Sequence, residues 1–374
     1  MPGKIKRVFP GGNTSEGFFS YYRYLLEKGT RRTFIIKGGP GVGKSTLMKR
    51  IGQKMVDLGY DVEFHHCSSD NRSLDGIAIL EAGIVMVDGT APHIIDPKYP
   101  GGLDEIINMG EFWDLEAMER NTEKIIASTQ EVSRLFARAY GFLRAARPIA
   151  ENLMEMHRCC MDFAEVNKIT EKLEKDLLEG TYLPESKNSL GKERHLFSSA
   201  YTPEGHIDFT DSILQGIERV YFLEGPMGTG KSTLMQKIAA KAIQMGQEVE
   251  IYHTPLIPTK IGTVLLKNLS FALTASSKMK NNCTEVINFQ ELLDGKKLKA
   301  YQEDIAGDSR LLEDLINNGI KHINKAKAEH DVLEQYYIPH MDFAALEKKQ
   351  EELFQRILGL AEGKLEPVTV PLYN

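Results

Sequence analysis

The chain has 374 residues, 42% of them apolar and 26% charged, which is enough for two domains with cores of their own. Lys plus Arg number 46 against 52 Asp plus Glu, and the net charge of -6 gives no global electrostatic reason to bind nucleic acid or an acidic membrane. Its four cysteines (Cys67, Cys159, Cys160, Cys283) are too few and too scattered for a disulfide framework, and adjacent Cys159 and Cys160 lack zinc-ligand spacing.

From the N-terminus, Met1 to Asn13 lacks the apolar core of a signal peptide, so a cytoplasmic protein with reduced thiols is expected. The apolar run Thr33–Ile36 reads as a buried strand ending in a glycine-rich loop. Leu47, Ile51, Met55 and Leu58 then keep helical spacing, with Gly59 placed to end the helix, and Val62–His66 reads as a second strand. The stretch Gly76–Gly89 is interrupted by Glu81 and Asp88 and is too short to span a membrane, so it is expected to be buried strand. Strand, helix, strand order predicts a parallel sheet with helices on its faces. After about Asp114 the segments turn polar and helical, with Ile125, Val132, Phe136, Ala139 and Leu143 on one stripe. Pro148 should break the first of these helices, and Asp162 with Glu165 should start another; Asp342 holds the matching start later in the chain.

The chain repeats itself. Gly41-Val-Gly-Lys-Ser-Thr-Leu-Met-Lys-Arg-Ile51 recurs as Gly228-Thr-Gly-Lys-Ser-Thr-Leu-Met-Gln-Lys-Ile238. Thr14-Ser-Glu-Gly17 answers to Thr202-Pro-Glu-Gly205, Val62–His66 to Val249–His253, and Met161-Asp-Phe-Ala164 to Met341-Asp-Phe-Ala344. Glu105-Ile-Ile-Asn-Met-Gly-Glu-Phe-Trp-Asp114 likewise answers to Glu285-Val-Ile-Asn-Phe-Gln-Glu-Leu-Leu-Asp294. Ordered matches across both halves indicate duplication. The expected division is a first α/β unit over 1–182 (core 1–114, helical extension 115–182), a polar connector over 183–193, and a second unit over 194–374. The second unit has its core at 194–294, its extension at 295–362 and a tail at 363–374. On this division, removing Leu115 to Gly180 should leave the second copy able to bind its ligand.

Each copy carries G-x-x-x-x-G-K-[ST], as Gly38-Gly-Pro-Gly-Val-Gly-Lys-Ser45 and Gly225-Pro-Met-Gly-Thr-Gly-Lys-Ser232. Gly38, Gly39, Gly41, Val42 and Gly43 in the first loop, and Gly225, Gly228, Thr229 and Gly230 in the second, would turn successive N–H groups toward phosphate oxygens. Thr46 and Thr233 follow at the helix N-terminus, whose dipole favours the same anion. Lys44 and Lys231 would reach the terminal phosphates, and the Ser45 and Ser232 hydroxyls would be magnesium ligands. Gly83-Ile-Val-Met-Val-Asp88 resembles a Walker B strand, an apolar strand ending in a carboxylate that would hold the magnesium shell; the alternative for Asp88 is a turn-starting residue before Gly89. In the loop that follows, His93 is a weaker catalytic candidate, to position water or sense the terminal phosphate, against a structural histidine. No Glu follows Asp88, so the catalytic base is unassigned.

His65, His66 and Cys67 alternate along a strand and so do not form one ligand set. Asp70 and Arg72 sit where an acceptor substrate could be held. Arg134, Arg138, Arg144 and Arg147 are read as a solvated helix face. Pairing Ser73–Ala91 without gaps with Thr259–Ser277 puts Thr274 opposite Asp88, so the second copy is expected to lack the metal carboxylate; Glu224 is a candidate replacement.

The two loops together with Val87-Asp-Gly-Thr-Ala-Pro-His93 and the Glu105–Asp114 block resemble a family of bacterial tandem P-loop ATPase-like proteins in the P-loop NTPase superfamily. The resemblance implies ATP or GTP binding with Mg2+ and phosphate roles for Lys44, Ser45, Lys231 and Ser232. The expected function is an ATPase with a hydrolysing first site and a mainly nucleotide-binding second site. A small-molecule kinase and a non-hydrolysing nucleotide-gated binding module are the alternatives. The extensions are expected to serve a protein partner or signalling between the two halves, and no membrane association is expected.

Overall fold

A computed structural model describes residues 1–25, 29–91, 94–179 and 190–363. The first repeat runs β1 (Ile5–Val8), the hairpin β2 (Gly11–Thr14) and β3 (Gly17–Ser20), β4 (Arg32–Lys37), α1 (Lys44–Asp57), β5 (Val62–His66), β6 (Leu74–Ile79), β7 (Ile84–Asp88) and β8 (Asp104–Asn108). The helices α2 (Leu115–Arg120), α3 (Thr122–Cys159) and α4 (Phe163–Leu178) follow. The second repeat begins with β9 (Glu193–Phe197), the hairpin β10 (Ser199–Thr202) and β11 (Gly205–Asp208), the short α5 (Thr210–Ile213), β12 (Arg219–Glu224), α6 (Lys231–Gln244) and β13 (Val249–His253). It continues with β14 (Ile261–Leu266), β15 (Phe271–Thr274), β16 (Glu285–Asn288), α7 (Gly295–Ala300), α8 (Gln302–Glu334) and α9 (Phe343–Ala361).

The fold is α/β with two six-stranded sheets of one topology, ordered β1-β5-β6-β7-β4-β8 and β9-β13-β14-β15-β12-β16. The expectation of parallel sheets is corrected: both are mixed. In the first, β1·β5, β4·β7 and β4·β8 are parallel, whereas β6 runs antiparallel to β5 and β7. The cause is local. Residues 80–83 turn the Gly76–Gly89 stretch back on itself, so it forms two strands and not one, and connections this short can join only antiparallel neighbours.

Duplication is visible in matched detail. The Thr14 hydroxyl donates to the Gly17 carbonyl and the Thr202 hydroxyl to the Gly205 carbonyl, each at 2.9 Å. The Asn108 and Asn288 side chains accept from the backbone N–H two residues on, each at 3.0 Å. Asp162 and Asp342 cap α4 and α9 as their spacing predicts.

Two compact units emerge, and they do not follow chain order. The first comprises Met1–Gly11, Ser20–Ala137 and residues from His322 onward; the second comprises Gly12–Phe19 and Arg138–Lys321. In the first unit, Leu346, Leu353, Phe354 and Ile357 of α9 share a core with Phe34, Leu47, Ile51 and Met86. The second unit's core holds Val166, Leu173, Leu177 and Leu178 of α4 with Leu223, Leu234, Ile238 and Leu273. Each final helix is thus counted in the core of the opposite repeat, because its apolar stripe is matched there by the loop-following helix. The hairpin β2–β3 is likewise built into the second unit, where the Ser15 N–H donates to the Leu256 carbonyl at 3.0 Å. The compact units differ from the expected chain-order division, and residues 163–178 of α4 supply part of the core that holds β12 and α6.

Pro148 does not break α3, which runs unbroken past it. The lost N–H costs a hydrogen bond, but Leu143, Ala146, Ala150 and Leu153 on either side are all buried and hold the helix in place. Among the described residues no helix is long and apolar enough to cross a membrane, and the four cysteines are free thiols. Of the expected connector, residues 183–189 lie outside the described residues and Glu193 already belongs to β9; of the expected tail, 364–374 lie outside them.

Candidate functional site

In the first unit the glycine loop leaves β4 and enters α1 through Gly43, whose φ of 86° is a left-handed conformation open mainly to glycine. Gly41, at φ 69°, adds a steric demand, since a Cβ there would lie 2.7 Å from Ile338 Cγ1. Gly39 packs against Tyr337 and Trp113, and Glu334 of α8 lies beside Gly41. Val42 is buried in the core, and Thr46 is exposed. No side chain caps the α1 N-terminus, which leaves its amide dipoles pointing at the loop.

Lys44 Nζ is fixed across this loop, donating to the carbonyls of Gly38 and Gly39 at 2.7 and 2.9 Å and pairing with Asp88 Oδ2 at 3.5 Å. The residues that sequence reasoning placed together, Lys44 and Asp88, therefore do meet. Asp88 also fulfils the turn reading, because its Oδ1 accepts from the Thr90 N–H at 2.9 Å and from the Thr90 hydroxyl. The Ser45 hydroxyl oxygen accepts the N–H of Leu74 at 3.0 Å, tying the α1 entry to the start of β6. Ser45 Oγ and the Asp88 carboxylate are hard oxygen donors, a set that fits magnesium. His93 lies outside the described residues.

Two side chains at this site, Asp75 and Tyr22, were not found from sequence, and they gather with Cys67, which was read there only as part of a strand end. Asp75, 6% exposed, accepts from the Tyr22 hydroxyl at 2.5 Å. Burial, with Asp75 next and Asp88 also contributing, pushes the Tyr22 phenol well above its ordinary pKa. Cys67 is raised well above its ordinary value by burial and then by Asp75. The sequence signal for Asp75 was a lone Asp inside an otherwise apolar strand. On the rim, Asp70 accepts from the Ser73 hydroxyl at 2.8 Å and pairs with Lys327 of α8 at 3.5 Å. An α8 segment from the second repeat thus borders the first loop.

The second unit repeats the loop without its acids. Gly230 caps α6 at φ 96°, and Ser232 Oγ accepts the Ile261 N–H at 2.8 Å. Lys231 Nζ donates to the carbonyls of Gly225 and Pro226 and to Thr229 Oγ1 at 3.3 Å. Among the described residues no carboxylate pairs with Lys231, and burial lowers its pKa to about 8. At Gly228, a Cβ would lie 2.2 Å from the Met154 carbonyl oxygen of α3; Thr233 is exposed.

The strand register corrects the expected alignment by one residue. Asp88 pairs with Ile36, two residues before Gly38. In the second sheet Thr274 pairs with Phe222, three residues before Gly225. Ala275 therefore occupies the place of Asp88 and Thr274 that of Val87, and Thr274 is buried against Thr263 at 2.7 Å. The same offset sets Gly262 where the first unit has Asp75. The expected loss of the carboxylate stands, on a different residue. Glu224, the expected candidate replacement, pairs with Lys280.

Both strand histidines and three of the four helix arginines have separate structural partners. His65 pairs with Glu63 at 2.8 Å, while His66 meets the Asn71 carbonyl at 2.9 Å and Arg7 at 3.0 Å. Arg134 pairs with Glu131, Arg147 with Glu151 and Glu16, and Arg138 stacks on Phe142. No family model matches the chain, and neither a curated protein nor a solved structure matches it.

Proposed function

We propose that the chain binds nucleoside triphosphate (ATP or GTP) with Mg2+ at both glycine loops, and that it is an Mg-dependent ATPase whose turnover resides in the first site. The observation that carries this reading is the constellation around the first loop. A left-handed glycine opens an uncapped helix, a lysine is held across the loop by two carbonyls, and a serine and an aspartate stand beside it. Backbone N–H groups and the α1 dipole would hold the phosphates, and Lys44 would neutralise charge developing on the transferred phosphoryl group. Ser45 and Asp88 would hold Mg2+, which when bound neutralises phosphate charge.

The second loop keeps its cradle, Lys231 and Ser232, but has Ala275 and Gly262 where the first has carboxylates. Losing the metal carboxylate weakens stabilisation of the reacting phosphoryl group more than ground-state phosphate binding. The second site is therefore read as a nucleotide-binding site of slow turnover. Mass spectrometry of co-purifying nucleotide and phosphate release over a nucleotide panel test the reading. Phosphate release without an acceptor supports it; transfer only to an added metabolite would make the protein a kinase, and tight binding without turnover would make it a nucleotide-gated module.

A further inference from the structure

The first site has a second carboxylate, placed by a specific irregularity of the sheet. Along β5 and β6, His65 pairs with Gly76 and His66 with Leu74, so Asp75 is the extra residue of a bulge. Bulges re-aim a side chain and recur beside active sites. On its other edge β6 pairs Gly76 with Val87, and the next step of that antiparallel register sets Asp75 opposite Asp88. The preceding residue, Leu74, gives its N–H to Ser45 Oγ.

Two carboxylates directly opposite one another are destabilising unless something nearby compensates. Asp88 is already committed to Lys44 and Thr90. Asp75 is held by the buried Tyr22 hydroxyl and flanked by the Cys67 thiol. The second unit makes the same bulge, since Tyr252 pairs with Thr263 and His253 with Ile261, yet its extra residue is Gly262. There a Cβ would meet nothing closer than Thr254 Cγ2 at 3.5 Å. The bulge therefore has room for a side chain in both units, and only the unit that keeps Asp88 has a carboxylate on it.

We infer that Asp75 is the catalytic base of the first site, the carboxylate that accepts the proton of the attacking water. The assignment rests on the reading of that site as a triphosphate hydrolase. In the step, the water oxygen bonds to the γ-phosphorus and the bond from that phosphorus to the β-phosphate oxygen breaks. Its electron pair leaves with the diphosphate, and the water proton passes to the Asp75 carboxylate and then to solvent. Tyr22 is a positioning residue that fixes the carboxylate by its hydroxyl.

The test is steady-state turnover of the full-length chain, with triphosphate and Mg2+ varied independently. In Asp75→Asn, which can still accept from Tyr22, kcat is expected to fall by about a hundredfold or more, as for loss of a general base. KM for triphosphate and the Mg2+ requirement should stay at wild-type values. Asp75→Gly copies the residue that the second unit carries at the same bulge, and should show the same kcat loss with triphosphate binding intact. Wild-type kcat in either variant, or a loss that added Mg2+ restores, overturns the assignment of Asp75 while leaving the hydrolase reading in place. A wild-type protein that binds triphosphate and releases no phosphate overturns both.

Discussion

At the scale of single residues, the two loops differ in their acids and not in their cradles. Lys44→Ala is expected to lower turnover by about a hundredfold or more, the range for removing one preorganised charge-stabilising group; phosphate release at the wild-type rate would refute the assignment of the first loop as catalytic. Asp88→Asn should raise the Mg2+ concentration needed for half-maximal rate while leaving thermal melting unchanged, and full activity at low Mg2+ would mean that another group holds the metal. In a Lys44→Ala background, Gly262→Asp with Ala275→Asp is expected to raise the residual turnover of the second site. Unchanged turnover would mean that the carboxylates are not what separates the sites. The glycine, lysine and serine positions were legible because motif spacing dictates them. Asp75 and the Ala275 register were not, because a β-bulge and a one-residue offset leave no mark in composition or periodicity.

At the scale of elements, β5 and β13 each end in a buried histidine whose pKa the fold lowers. Burial lowers the pKa of His66 on β5 to about 4 and that of His253 on β13 to about 3. Unfolded, both would titrate near pH 6.5, so between about pH 6.5 and 4 the unfolded chain binds protons that the fold does not. Stability from this source is present above that window and is lost as pH falls through it. Urea midpoints at about pH 7.5 and about pH 5 should show the drop, and His66→Gln with His253→Gln should flatten it; an unchanged drop in the double variant would locate the acid sensitivity elsewhere. The helices were visible from their apolar stripes, but Pro148 was misjudged. A proline penalty of about 3 kcal/mol is local, whereas the packing of Leu143, Ala146, Ala150 and Leu153 is tertiary.

At the scale of the whole molecule, chain order and compact units part company. Leu353→Ala on α9 and Leu177→Ala on α4 should each destabilise by about 2–5 kcal/mol, the first in the unit that holds β4 and the second in the unit that holds β12. Hydrogen exchange resolved by peptide would show faster exchange in α1 for Leu353→Ala and in α6 for Leu177→Ala, and loss confined to the mutated helix's own repeat would contradict the exchanged cores. By the same reasoning, fragments 1–182 and 194–374 expressed singly should melt non-cooperatively and co-expressed should recover a cooperative transition; a cooperative fold in either alone would mean that its extension covers its own sheet. What the sequence by itself determined is the duplication, the glycine loops at strand-to-helix junctions, and the character of the appended helices. These follow from local rules: motif spacing, strand and helix periodicity, and capping residues. Only the tertiary structure decided the mixed strand order, the second carboxylate at the first site, and which core each final helix joins. An amphipathic stripe states that a helix must bury one face, and either of two duplicated cores presents a matching surface, so the choice between them rests on the path of the folded chain.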